Sequence, residues 1–163
     1  MGLFVFTIFN VLISLLGIAS GFVVFYGMLA SKRMPRWTRI FLVSTVATSV
    51  TGFLFPYKGF TPALGFGILS LIVLGVAIYA LHGRGLAGGW RKVYVITALF
   101  AQYLNVFVLV VQSFLKIPFL HALAPTQTEP PFGIAQGVVL VLFLVFGYRA
   151  LGRFREETAA PPA

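Results

Sequence analysis

The chain has 163 residues, 60% hydrophobic and 9% charged, with twelve Lys and Arg against three Asp and Glu and a formal charge of +9. That composition is too apolar for a soluble globule and marks an integral membrane domain, in which the cations sit in short clusters between apolar runs and read as orientation signals, not as a nucleic-acid surface. The lack of cysteine excludes disulfides, thiolate metal sites and thiol redox chemistry.

Residues 3–29 are an almost unbroken apolar run, about 40 Å long as a helix, enough to cross a hydrocarbon core of about 30 Å with tilt. No positive charge precedes the run and it outlasts a cleavable signal core, so it reads as a retained first span. Gly17 and Gly21 form a G-x-x-x-G beside Ser14 and Ser20, a surface that another helix can approach closely. SKRMPRWTR (31–39) follows, with four cations, Pro35 as a helix breaker and Trp37 as an interface anchor. The second span, 40–55, carries Ser44, Thr45, Thr48, Ser49 and Thr51, whose hydroxyls can bond back to carbonyls of their own helix.

The turn PYKGFTP (56–62) holds one cation, Lys58, and places Pro62 at the first position of a third span, 63–82, in which Gly65, Gly67 and Gly75 favour close packing. GRGLAGGWRK (83–92) adds Arg84, Arg91 and Lys92 with Trp90 as a second anchor. The fourth span is 93–115 and the fifth is 132–148, closed by Arg149, Arg153 and Arg155. Residues 156–163 read as a disordered tail, leaving 1–155 as a single transmembrane helical domain.

Ten of the twelve cations thus fall after spans one, three and five, and two, Lys58 and Lys116, in the intervening connections. The expected fold is therefore all-α: a polytopic membrane protein, a bundle of five transmembrane helices with the N-terminus outside and the C-terminus inside, multi-pass in a bacterial inner membrane. No internal repeat divides the chain into the paired halves of a transporter.

On the fourth span, at about 100° per residue, Tyr94, Gln102, Gln112 and Lys116 all fall within about 60° of Asn105. Phe100, Leu104, Phe107, Val111 and Leu115 make the opposite side apolar. An amide in hydrocarbon without a partner costs several kcal/mol, so the stripe faces protein, a wet cavity or a ligand. Amides that join helices contribute roughly 0.6 to 2 kcal/mol each, which makes packing the plainer reading of the stripe. The loop KIPFLHALAPTQTEPPF (116–132) gathers Lys116, His121 and Glu129 on a backbone restricted by four prolines, and Gln136 follows in the fifth span. A shaped cap over the outer end of the stripe is expected, with Tyr94, Gln102, Asn105, Gln112, Lys116, His121, Glu129 and Gln136 as the ligand-binding candidates.

His82 and His121 fall at opposite membrane faces and cannot share a metal, and Glu129 is the sole acid ahead of Glu156 and Glu157 in the tail. The sequence therefore offers no carboxylate pair, no Ser-His-Asp triad and no nucleotide loop; no enzyme activity, metal or cofactor is expected. YLNVFVLVVQSFLKIPFLHALAPTQTEPPF (103–132) is similar to bacterial inner-membrane proteins of this size, a resemblance that implies no catalytic residue. Five spans and an outward N-terminus also resemble, in architecture alone, the tryptophan-rich sensory proteins that bind porphyrins and sterols, whose first loop SKRMPRWTR does not match. Two functions are expected: an integral membrane protein that binds a lipophilic or amphipathic molecule in an intrabundle pocket under the outer loop, or a structural or accessory subunit of a membrane complex or homo-oligomer.

Overall fold

The computed structural model describes residues 1–154; residues 155–163, where the expected tail falls, lie outside the described residues. The described chain runs through six α-helices: α1 (Gly2–Leu29), α2 (Pro35–Gly52), α3 (Pro62–Ile78), α4 (Trp90–Lys116), α5 (Pro118–Leu123) and α6 (Pro130–Arg153). A π-helical turn, Tyr79–Gly83, continues α3. Proline opens four of these helices, at Pro35, Pro62, Pro118 and Pro130, where its missing N–H would have had no intrahelical partner. Thr61 caps α3, its hydroxyl accepting from the Leu64 N–H at 3.4 Å.

Four segments are long and apolar enough to cross a membrane: Gly2–Leu29, Pro62–Gly83, Trp90–Lys116 and Pro130–Arg153. The segment expected as the second of five spans, α2, is not among them. It starts at Pro35 instead of residue 40, because proline begins a helix readily, and so takes Arg36 and Arg39 into its first two turns. Its hydroxyls bond as expected: Thr48 Oγ1 donates to the Ser44 carbonyl at 2.8 Å and Thr51 Oγ1 to the Ala47 carbonyl at 2.7 Å. Within the outer loop, expected as a shaped cap, six residues wind into α5, which opens on Pro118.

Helix α1 packs chiefly on α2 and α3 on α4, forming two hairpins; α2 also meets α3, and α6 lies against α4 and α1. The G-x-x-x-G of α1 serves two neighbours. A Cβ on Gly17 would come within 3.2 Å of the Ser44 and Thr45 hydroxyls of α2, and one on Gly21 would overlap the Gln102 amide of α4. At Gly21 the missing side chain leaves the space that the Gln102 amide fills between the two backbones.

The buried apolar core occupies one end of the bundle. It takes Val24, Phe25 and Met28 from α1, Phe41 and Leu42 from α2, Val73, Leu74 and Ala77 from α3, Tyr94 to Leu99 in part from α4, and Ala150 from the end of α6. Small residues let these helices close up, with Ala77, Ala80 and Ala101 fully buried. The basic segments meet at this end, where Lys32, Arg33, Arg39 and His82 line a cleft of about 110 Å³ together with Tyr94 and Phe154. Arg91 is buried there and donates to the carbonyls of Leu151 at 3.2 Å and Phe154 at 2.6 Å, closing the C-terminal turn of α6. Arg84 lies over the Trp90 ring, 5.2 Å from its centroid.

Toward the other end the bundle opens. Leu3, Phe4, Val5, Ile8, Phe9 and Leu12 of α1 are exposed, and α6 turns Ile134, Val138, Val141, Leu144 and Val145 outward. Outward apolar faces of this extent suit lipid and would be a liability in water.

Candidate functional site

Between the α1–α2 and α3–α4 hairpins, at the end away from the basic cleft, lies a cavity of about 540 Å³. Its wall is mainly apolar, with Val11, Leu15, Ile18, Phe53, Leu64, Phe66, Leu104 and Val108. Polar groups interrupt it on every helix: Asn10 and Ser14 on α1, Thr48 and Ser49 on α2, Ser70 on α3, and Asn105, Gln112 and Lys116 on α4. The 3.6-residue repeat of α4 brings its last three to one side, which is the face on which the sequence places them.

The stripe of α4 therefore exists, but it is divided by depth. Tyr94 sits at the basic end, 2% exposed, in the tight core. Gln102, 1% exposed, is packing glue of the kind the plainer reading holds: its Nε2 donates to the Ile18 carbonyl at 2.8 Å, in the space that Gly21 leaves. Asn105 is half-buried, and its Nδ2 donates to Thr45 Oγ1 at 3.3 Å while the residue also lines the cavity. Gln112 and Lys116 are exposed, line the cavity one turn apart, and have no hydrogen-bond partner among the described residues.

Three of the expected partners are not brought to this cavity. Gln136 Nε2 donates to the Phe107 carbonyl at 3.2 Å, on the face of α4 that the sequence reads as apolar. That face is packed by α6 and satisfied through its backbone, which side-chain periodicity does not register; Gln127 Nε2 does the same to the Val111 carbonyl at 2.9 Å. His121 is exposed on α5, with Nδ1 3.3 Å from the Phe114 carbonyl. Glu129 folds the loop onto itself, accepting from Thr126 Oγ1 at 2.8 Å and from the Thr128 N–H at 3.1 Å. The Thr126 hydroxyl, with smaller help from the loop N–H groups, holds the Glu129 carboxyl below the usual carboxylate range. The outer loop is thus held by its own bonds and by contacts with α4 carbonyls, but residues 118–136 do not line the cavity, which is walled by helices α1 to α4 and their ends.

Sequence reading missed Asn10. Its Nδ2 donates to Thr51 Oγ1 at 2.7 Å and to the Thr48 carbonyl at 3.3 Å, tying α1 to α2 at the cavity. The signal was present, since an amide in a span is costly wherever it occurs, and Asn10 is the sole amide of α1. Tyr57, after α2, also lines the cavity and was read only as part of a turn.

Fold and composition together define a helical multi-pass membrane protein. No known protein family, curated protein or solved structure matches this chain.

Proposed function

We propose that this is a non-enzymatic membrane protein that binds a lipophilic or amphipathic small molecule in the cavity between the α1–α2 and α3–α4 hairpins. The cavity supports the reading: its volume lies within the range of about 300 to 1,000 Å³ common for ligand sites, and its lining is apolar with a few convergent polar groups. The molecule is bound between helices and not under the outer loop. Asn105, Gln112 and Lys116 remain its polar contacts on α4, joined by Asn10 and Ser14.

In this proposal α2 also crosses the membrane, as the second of five spans and packed by α1 and α3, and the basic end faces the cytoplasm of a bacterial cell. The ten-to-two charge bias and the gathering of Lys32, Arg33, Arg39 and His82 at one end support this orientation. In this cysteine-free chain Thr128→Cys should react with an impermeant thiol reagent in intact cells and Ala87→Cys should not. Labelling of Ala87→Cys without permeabilisation would reverse the orientation.

The binding itself is tested by filling the cavity. Val108 lines it, and Val108→Trp puts a large ring in its space. In native mass spectrometry after gentle extraction, wild-type protein should take up one oleyl alcohol per chain and Val108→Trp none, with both folded by circular dichroism. Equal uptake by the two proteins, or none by either, would leave the accessory-subunit reading in its place. That second reading draws on α6, whose outward apolar side is free for a protein partner or a second copy, and it requires the same spectra to show an oligomer or a retained partner.

A further inference from the structure

From the polar groups at the cavity mouth, and resting on the binding reading above, we infer that the ligand is a single-chain amphiphile with an anionic head, a carboxylate or a phosphate. Gln112 and Lys116 stand one turn apart on α4, about 6 Å between Cβ atoms, and both line the cavity. Tyr57 lines it from the connection after α2. An amide NH₂, an ammonium and a phenol are three donors, and none of them has a hydrogen-bond partner among the described residues.

No carboxylate answers them. Glu129 is the sole acid among the described residues; it is engaged with Thr126 and Thr128 and does not line the cavity. The amides deeper in the cavity, Asn10 and Asn105, have their NH₂ groups committed to Thr48, Thr51 and Thr45. The mouth is therefore donor-rich and positively charged, and the interior is apolar. A cationic head would meet Lys116 at like charge, and a neutral hydroxyl would leave the ammonium without a counter-charge. An anionic head accepts from Lys116 and Gln112 together through charge-assisted bonds, which are shorter and stronger than neutral ones.

Four probes with one C18 chain and different heads test this: oleate, oleyl phosphate, oleyl alcohol and oleylamine, titrated into the protein in nanodiscs of zwitterionic lipid at about pH 9, where the carboxylate and phosphate heads are ionised. Either anion should bind about tenfold more tightly than the alcohol, and the amine most weakly. Lys116→Met should remove the preference for anions, bringing the affinities for anion and alcohol together. Lys116→Arg should restore it, and Lys58→Met, an exposed cation outside the cavity lining, should not affect it. Which of oleate and oleyl phosphate binds better identifies the head as a fatty-acid carboxylate or a lipid phosphate. Alcohol binding as tight as that of both anions, or equal losses from Lys58→Met and Lys116→Met, would overturn the anionic head while the cavity reading stands. Failure of all four probes to bind in a way that Val108→Trp blocks would overturn the cavity reading itself.

Discussion

Gly21→Ala is expected to destabilise the purified protein by about 2 kcal/mol, although it adds a single methyl group to a helix and alanine is the better helix former. The added Cβ would overlap the Gln102 side chain, which is buried and fixed by its bond to the Ile18 carbonyl. Either α1 and α4 separate, or the amide leaves its place and buries unpaired polar atoms. Gln102→Ala loses that bond and should cost about 1 kcal/mol alone. In the double variant the methyl group finds room, so the combined loss should fall well short of the sum, a coupling expected of side chains in direct contact. Unfolding in mixed micelles, followed by helical signal, measures all three. Additive losses, or a silent Gly21→Ala, would mean that α1 and α4 do not meet at this point.

Arg91→Met should be comparably damaging, at about 2 kcal/mol, for a different reason. The methionine keeps most of the apolar stem, so packing is largely preserved, but the carbonyls of Leu151 and Phe154 lose a charged donor. Those carbonyls belong to the last turn of α6 and its cap, where helix carbonyls have no intrahelical donor. The expected result is early proteolysis at the C-terminal end of α6, with α1 to α4 intact. Equal protection of wild-type and Arg91→Met chains at that end would remove Arg91 from this role.

The apolar runs made the four membrane-length helices legible, and Pro62 marked where α3 begins, whereas Pro35, read as a breaker, and Pro130, read as part of the loop, open α2 and α6. The stripe of α4 was legible as well, because one helix carries its own geometry. The partners of the stripe were not. Gln102 meets a backbone carbonyl of α1, and carbonyls leave no trace in the pattern of side chains. Gln136 was assigned to the stripe since it too is an amide at the outer end, yet its side depends on how α6 rotates against α4, which sequence spacing within one helix does not fix. Asn10 and Tyr57 were readable as polar groups among apolar ones, but their place at the cavity required the α1–α2 hairpin to be seen beside α3 and α4. The G-x-x-x-G correctly marked a close approach, though its two glycines face different helices.

The uneven distribution of the core has a consequence for how the molecule fluctuates. Backbone amides from about Ser20 to Met28, Phe41 to Thr45, Val73 to Ala80 and Tyr94 to Leu104 lie among buried side chains, and their opening requires the packed end to come apart. At the cavity end few buried apolar contacts join the two hairpins, and cross-links such as those from Asn10 run within the α1–α2 pair. Local opening costs least where buried contacts are fewest, so the amides of residues 3–15 and 62–67 are expected to exchange with solvent deuterium sooner than those of the packed end. The two hairpins are clamped at one end and free to part at the other, as the arms of a tuning fork are. In the proposed binding, the gap between them would widen to admit a chain without disturbing the packed base.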